Sequence, residues 1–453
     1  MSKQPDSEDA TASHEATEHG VNRSNETKGS VSSSIATLVV RLLGIGIQFG
    51  VYYLVTQWES IDAVANYALA ASLWLIARVL GPRGYESVLL RELSRHGHLL
   101  AWLERKVLRS SFQVGLLGGG MVSIVVVAGL FPNTDASAFL PALAAIPLHA
   151  ILGVQTTGLR ARGRAGLAQF AESVVLPLTT CVMLTLGHVI SGWSELGILQ
   201  AAFLGILMAT LVNASLLRRT SYLERCGADI PVPNAEVLRR ASSVLFVGLV
   251  ASTLCTRAPT IVLARLGSPE EVAVFDAALR IASLGTLILW AIRISFSPQF
   301  SRLAAAGDYM GLRRVVRIAS TLAGGAAMLC LLMFVILGPW LLGAFGEVYL
   351  DAWVPLLILS GSLGLNCLLG LCGTALIMAG HESFVVKVSF LQLFVLLILT
   401  PLLLPAYGVI GMVSSMAMAL LIRDLTALIK FVLVTSRGRL TAVEADAGAT
   451  SLR

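Results

Sequence analysis

Three observations predict an all-α, polytopic membrane fold of twelve transmembrane helices, which an internal repeat and the resemblance described below arrange as two six-helix lobes around a central cavity. They are the scarcity of charge, the spacing of the apolar runs and the side on which the basic residues fall. Of 453 residues, 56% are hydrophobic and only 13% charged, with a mean hydropathy of +0.79. A soluble chain carries roughly 25% charged residues, so this one has about half the charge needed to cover its surface in water. That excludes a soluble enzyme, a disordered scaffold and a basic nucleic-acid binder, and no nucleic-acid partner is expected. The formal charge of +6 takes its meaning from where it sits.

Residues 1–30 are polar and acidic (Asp6, Glu8, Asp9, Glu15, Glu18, Glu26). Such a segment cannot bury enough apolar surface to order itself, and it lacks the positive start and short apolar core of a signal peptide. It reads as a disordered cytoplasmic tail. A bilayer-crossing helix needs about 20 mostly apolar residues. At that length the spans fall near 35–56, 62–81, 111–131, 139–158, 169–190, 198–217, 241–264, 273–297, 318–338, 355–379, 388–405 and 409–434. The corresponding units are a first lobe over 31–220, a cytoplasmic linker over 221–240, a second lobe over 241–436 and a cytoplasmic tail over 437–453.

The basic residues orient these spans. Twenty-five of the 33 Lys and Arg lie on the side of the N-terminus; Arg265 alone lies on the other. Cytoplasmic loops carry the excess of Lys and Arg, so both termini are expected in the cytoplasm of a multi-pass protein.

The halves also resemble each other at an offset near 208. Val64-Ala65-Asn66-Tyr67-Ala68-Leu69-Ala70 aligns with Val272-Ala273-Val274-Phe275-Asp276-Ala277-Ala278. Ser94-Arg95 aligns with Ser301-Arg302, and Leu103, Val107 and Ser111 with Leu312, Val316 and Ser320. A shift of six helices keeps each half in one orientation, and transporters built from parallel repeats place their substrate between the halves.

The stretch from Ala264 to Leu284 (ARLGSPEEVAVFDAALRIASL) resembles a signature of bacterial polysaccharide flippases, of the lipid-linked oligosaccharide, O-antigen type. These belong to the multidrug/oligosaccharidyl-lipid/polysaccharide exporter superfamily. Ser297-Pro298-Gln299-Phe300-Ser301-Arg302, Phe345-Gly346-Glu347-Val348-Tyr349 and Ala379-Gly380-His381-Glu382 are similar to further landmarks of that family. The resemblance runs from about 30 to 435, and Asp276 departs from it. It implies a twelve-helix, two-lobed fold that flips an undecaprenyl-diphosphate-linked oligosaccharide across the bacterial inner membrane by alternating access, for polysaccharide biosynthesis. Membrane lipid and a polysaccharide polymerase or ligase are the partners implied. The superfamily also holds multidrug exporters and peptidoglycan-precursor flippases; the latter usually carry two more helices.

Charges within the hydrocarbon region cost roughly 2.5–3.5 kcal/mol each on insertion scales, so those that persist mark candidate sites. Arg78, Arg293 and Lys430 lie close enough to a cytoplasmic helix end to snorkel; Arg41 sits slightly deeper. Arg257 and Arg280 each lie about seven residues, roughly 10 Å, below the outer ends of consecutive helices. Guanidinium groups take phosphate oxygens two at a time. Arg257, Arg280, Arg41, Arg78 and Arg293 are therefore the expected contacts to a diphosphate. Asp276, one turn before Arg280, offers an intrahelical partner. It and Glu172 are the candidates for ion or proton coupling. Arg423 and Asp424 leave their helix about 100° apart and do not obviously satisfy one another.

No cysteine or histidine cluster has metal-ligand spacing, and His96 and His98 stand on a basic loop without further ligands. No nucleophile–base set or glycine-rich phosphate loop is present, so neither cofactor nor covalent catalysis is expected. A multidrug or cation exporter is the main alternative, although it would want acidic residues in its cavity. A glycan polymerase or ligase would want a large external loop, and every external connector is short.

Overall fold

The computed structural model describes residues 39–86, 101–127, 136–190, 197–220 and 235–450. The acidic tail, the linker over 221–234 and the His96/His98 loop lie outside these. Among the described residues the chain is helical, with no strand. The first half comprises α1 (Val39–Trp58), α2 (Ile61–Leu80), α3 (Ala101–Val127), α4 (Ala136–Ala161), α5 (Ala165–Val189) and α6 (Ile198–Arg219). The second comprises α7 (Ala235–Leu266), α8 (Pro269–Ser283), α9 (Thr286–Ala305), α10 (Tyr309–Gly343), a 3-10 turn (Glu347–Ala352), α11 (Trp353–Leu369), α12 (Leu371–Met378) and α13 (Glu382–Thr450).

Nine helical stretches among the described residues are long and apolar enough to cross a bilayer. The most apolar face outward rather than inward: the most apolar window of α10 has a mean hydropathy of 2.3, yet only 17% of it is buried. Ile336 and Trp340 are largely exposed. In water this would be an aggregating patch; in a bilayer it is the lipid face of a multi-pass membrane protein.

The helix boundaries refine the sequence reading. The expected 273–297 span is two helices, broken at Leu284–Gly285, where 3-10-type bonds (Leu284 N–H to Ile281, 3.1 Å; Gly285 N–H to Ala282, 3.2 Å) replace the α ladder. The basic connector over 298–317 shrinks to a tight turn, because α9 runs to Ala305 and Asp308 caps α10 by accepting from the Gly311 amide at 2.8 Å. The helix of α13 continues through the expected tail.

Residues 388–405 and 409–434 lie in one helical stretch with a reversal inside it. Thr400 and Met412 would stand about 18 Å apart along a straight helix, yet their Oγ1 and Sδ atoms are 4.0 Å apart. Gly408, at φ 55° and ψ −133°, makes the turn. A side chain there is strained by roughly 1–3 kcal/mol. Gly408→Ala is thus expected to lower the melting temperature in detergent by a few degrees, read by intrinsic fluorescence.

The repeat has structural counterparts. Ser60 caps α2, accepting from the Ala63 amide at 3.3 Å. Ser268, 208 residues on, caps α8 through a reciprocal box with Glu271 (3.2 and 3.0 Å). The repeated segments that follow, Val64–Ala70 and Val272–Ala278, lie in the same core cluster, and α2 packs on both α7 and α8. Deeper down, Asn213 donates to Thr156 at 3.2 Å between α6 and α4. Asn366 donates to Asp424 at 2.8 Å between α11 and α13. One buried polar bridge therefore recurs in each half.

Glu59, between α1 and α2, caps a third helix, accepting from the Ile198 amide of α6 at 2.9 Å. Burial holds its carboxyl above the usual carboxylate range, against the pull of that hydrogen bond. The folded state therefore takes the proton more readily than the unfolded chain. Ionised Glu59 weighs against folding above its folded pKa, and the penalty vanishes on acidification below the unfolded value of about 4.3. Glu59→Gln keeps the acceptor and removes the charge. Its melting temperature is expected to exceed that of the native chain by about 1 °C at pH 7.5 and to match it at pH 4.

Candidate functional site

Polar side chains gather in three places. The first lies where the halves meet, toward the Ser60–Ser268 end. Because α7 ends at Leu266 and α8 starts at Pro269, Arg257 and Arg280 lie about 14 and 16 Å below their helix ends. That is deeper than the sequence spans implied and close to mid-bilayer. Arg280 is bound to Asp276 (Nε to Oδ2, 2.5 Å). Its guanidinium lies over the rings of Tyr52, 4.6 Å from the centroid, and Tyr67, at 5.4 Å. Arg257 stands close enough to feel the charges of both Asp276 and Arg280. It makes no hydrogen bond or ion pair among the described residues. Asp276 thus neutralises one arginine of the two, and Arg257 is left with a charge to give.

The second group lies within the first half. Arg78, read from the sequence as snorkelling, is instead partly buried and ion-paired with Glu172, 94 residues away. Local sequence explains how Glu172 gets there. Pro177 has no N–H to offer the Ser173 carbonyl and its ring would strike it. The helix widens to a π turn over Ala171–Val175, rotating Glu172 toward α2. Gly44 of α1 then closes on Ser173 with no room for a methyl. Arg41, three residues earlier on the same face, is thereby brought within electrostatic reach of Glu172 and Arg160.

Sequence reasoning missed the remaining members. Glu86 is pushed above the usual carboxylate range by burial, with Arg78 pulling it down. Arg160 donates to Gln169 at 3.1 Å, and Gln169 to Ser173 at 2.5 Å. His149 is buried with neither ring nitrogen bonded; Glu86 Oε1 and Glu172 Oε2 are also unbonded. The one signal available was the i, i+4, i+11 stripe His149, Gly153, Arg160 along α4.

The third group lies within the second half. Arg423 and Asp424 do satisfy one another: Nε and Nη2 both reach Oδ1, at 2.9 and 2.8 Å. The arginine stem is long enough to fold back across the 100° between them. Asn366 fills Oδ2, and Gln392 lies 3.4 Å from Arg423. Arg293 is within reach of both charges, yet its Nε is buried without a partner. Lys430 packs over the Phe384 ring at 5.4 Å. Of the five arginines expected at a ligand, then, Arg78 and Arg280 are committed to carboxylates and Arg41 sits beside one. Arg257 and Arg293 keep guanidinium groups unspent.

No protein-family profile matches the chain, and no curated protein does. Solved structures match along nearly its whole length. One is an inward-facing multidrug resistance MATE family transporter of the MOP superfamily (15% identity, 90% of this chain and 99% of that one, TM-score 0.68). Another is the lipid II flippase MurJ in an inward closed conformation (12%, 90% and 91%, TM-score 0.69). A third is a mutant of the MATE transporter VcmN of Vibrio cholerae (17%, 91% and 98%, TM-score 0.57). At these identities the likeness is one of fold: the chain has the fold that MATE transporters of the MOP superfamily share with MurJ.

Proposed function

We propose that the protein flips an undecaprenyl-diphosphate-linked oligosaccharide from the cytoplasmic to the outer leaflet of the bacterial inner membrane. Twelve passes form two six-helix lobes that alternate in access, both termini are cytoplasmic, and the product passes to a polysaccharide polymerase or ligase. The observation that carries the reading is Arg257, a mid-depth guanidinium with no partner among the described residues, in a fold that transporters use. A cation-handling site has no use for it, whereas a diphosphate oxygen pair completes it. Arg293 offers a second anion contact nearer the cytoplasmic end. The sugar needs a wet path between the lobes, and the prenyl chain stays in lipid. An inside-negative potential drives an anion outward by about 2.3 kcal/mol per charge per 100 mV.

The runner-up is a multidrug exporter, favoured by the multidrug transporters among the structural neighbours. Partly buried acids such as Glu172 would then couple ions to drug efflux. One experiment separates the two. Purified protein in liposomes is given a labelled undecaprenyl-diphosphate oligosaccharide, and label accessibility in each leaflet is followed with and without a potential. Protein-dependent transfer supports the flippase. Efflux of a cationic dye with no transfer of any glycan lipid moves the protein to the exporter.

A further inference from the structure

The Arg280 site joins the two halves through one group. Tyr52 belongs to α1 and Tyr67 to α2, whereas Arg280 and Asp276 belong to α8. The carboxylate holds the guanidinium from its own helix, and the rings of the opposite half cover it at 4.6 and 5.4 Å. Arg280 is a partly buried residue in this packing, and Tyr52 is buried almost completely.

Further contacts around it cross between the halves or brace one that does. Tyr52 donates its hydroxyl to the Ala273 carbonyl at 3.4 Å. Its ring stands edge-on to Phe345 at 5.3 Å, and Phe345 edge-on to Tyr349 at 6.1 Å. Gln57 donates to the carbonyls of Ala344 and Phe345 at 3.2 and 3.4 Å. The ion pairs of the other two groups lie each within one half, so a rigid-body movement of the halves leaves them intact. At Arg280 the same movement strips the rings away and leaves Asp276 in place. A guanidinium face uncovered at mid-depth is costly unless something anionic or aromatic replaces what left.

We propose that Tyr52 and Tyr67 form an aromatic latch on Arg280 that holds the Ser60–Ser268 end closed, and that a phosphate-type anion accepts from the Arg280 N–H groups that the rings screen once this end opens. The rings of the opposite half bar the way to those donors, so the anion is held there only in the open arrangement and its arrival favours opening. This rests on the alternating-access part of the reading above, not on the identity of the glycan.

The test is hydrogen exchange of the purified full-length protein in detergent, followed in the Glu347–Ala352 turn, with inorganic diphosphate as the probe anion. Tyr52→Leu and Tyr67→Leu are expected to raise exchange of that turn about tenfold. Tyr52→Phe and Tyr67→Phe, which keep the rings and lose only a hydroxyl, stay well below the leucine variants. Arg280→Gln/Asp276→Asn, which removes both charges and so leaves no orphan, matches the leucine variants. It also keeps the test open should Tyr52→Leu fail to fold. Diphosphate should raise exchange in the native protein and leave the doubly neutral variant unchanged. Native exchange in Tyr67→Leu and in the doubly neutral variant overturns the latch, and a native protein indifferent to diphosphate overturns the competition. Since no lipid-linked glycan is used, failure to flip one in liposomes bears on the proposed function alone.

Discussion

Glu172→Gln is expected to unfold the first half at markedly lower temperature, by about 3 kcal/mol or some 5 °C in detergent. The change is isosteric and leaves an acceptor for Arg78, so the loss comes from charge. Glu172 faces Arg78, Arg160 and Arg41, and without it Glu86 is the carboxylate left within reach of Arg78 and Arg160. Burial makes removal of one partner worse than removal of both, because the survivor keeps its desolvation cost with nothing to offset it. Arg78→Met/Glu172→Met should therefore recover much of the stability lost in Glu172→Gln. A double-mutant cycle is expected to give a coupling of about 2 kcal/mol. Additive losses would mean that the pair contributes nothing as a pair. The measurement is thermal unfolding by intrinsic fluorescence, with size-exclusion recovery as a check on folding.

The elements were legible in the sequence for the same reason that this knot was not. A span announces itself by length and hydropathy alone, and a cap by two residues three apart, as Ser268 and Glu271 do. The reversal at Gly408 fell in the gap between two apolar runs. Arg78 and Glu172 meet across helices that are not neighbours in sequence, and nothing periodic links positions 94 residues apart. The pairing also depends on a π turn that Pro177 forces and that a 3.6-residue wheel does not contain. The wheel failed in a different way at Arg423 and Asp424, where it compared Cβ directions while the guanidinium sits several bonds further out. Tyr52 and Tyr67 looked like ordinary core aromatics; only the halves brought together turn them into a cover for Arg280. The twin bridges Thr156–Asn213 and Asn366–Asp424 strengthen a repeat that the sequence carried only as a few drifting matches.

Arg257→Ala is expected to cut transfer of the lipid-linked diphosphate about a hundredfold, with folding and insertion unchanged. The first part follows from what the side chain lacks. A planar donor meeting a diphosphate makes two charge-assisted bonds, each contributing roughly 1.5–3 kcal/mol, and the lower end of their sum corresponds to about a hundredfold. The second part follows from the same observation. Arg257 makes no hydrogen bond or ion pair among the described residues, so its removal orphans nothing and relieves the cost of burying a charge, which outweighs its attraction to Asp276. A modest rise in melting temperature is expected beside the loss of transfer, the opposite of Glu172→Gln. That pairing of outcomes separates a ligand contact from a structural residue, whose loss would lower both. Arg257→Lys keeps the charge but loses the fork, and should recover only part of the rate. Transfer at the native rate in Arg257→Ala would remove the residue from the substrate path. It would also leave the flippase reading without the observation that carries it.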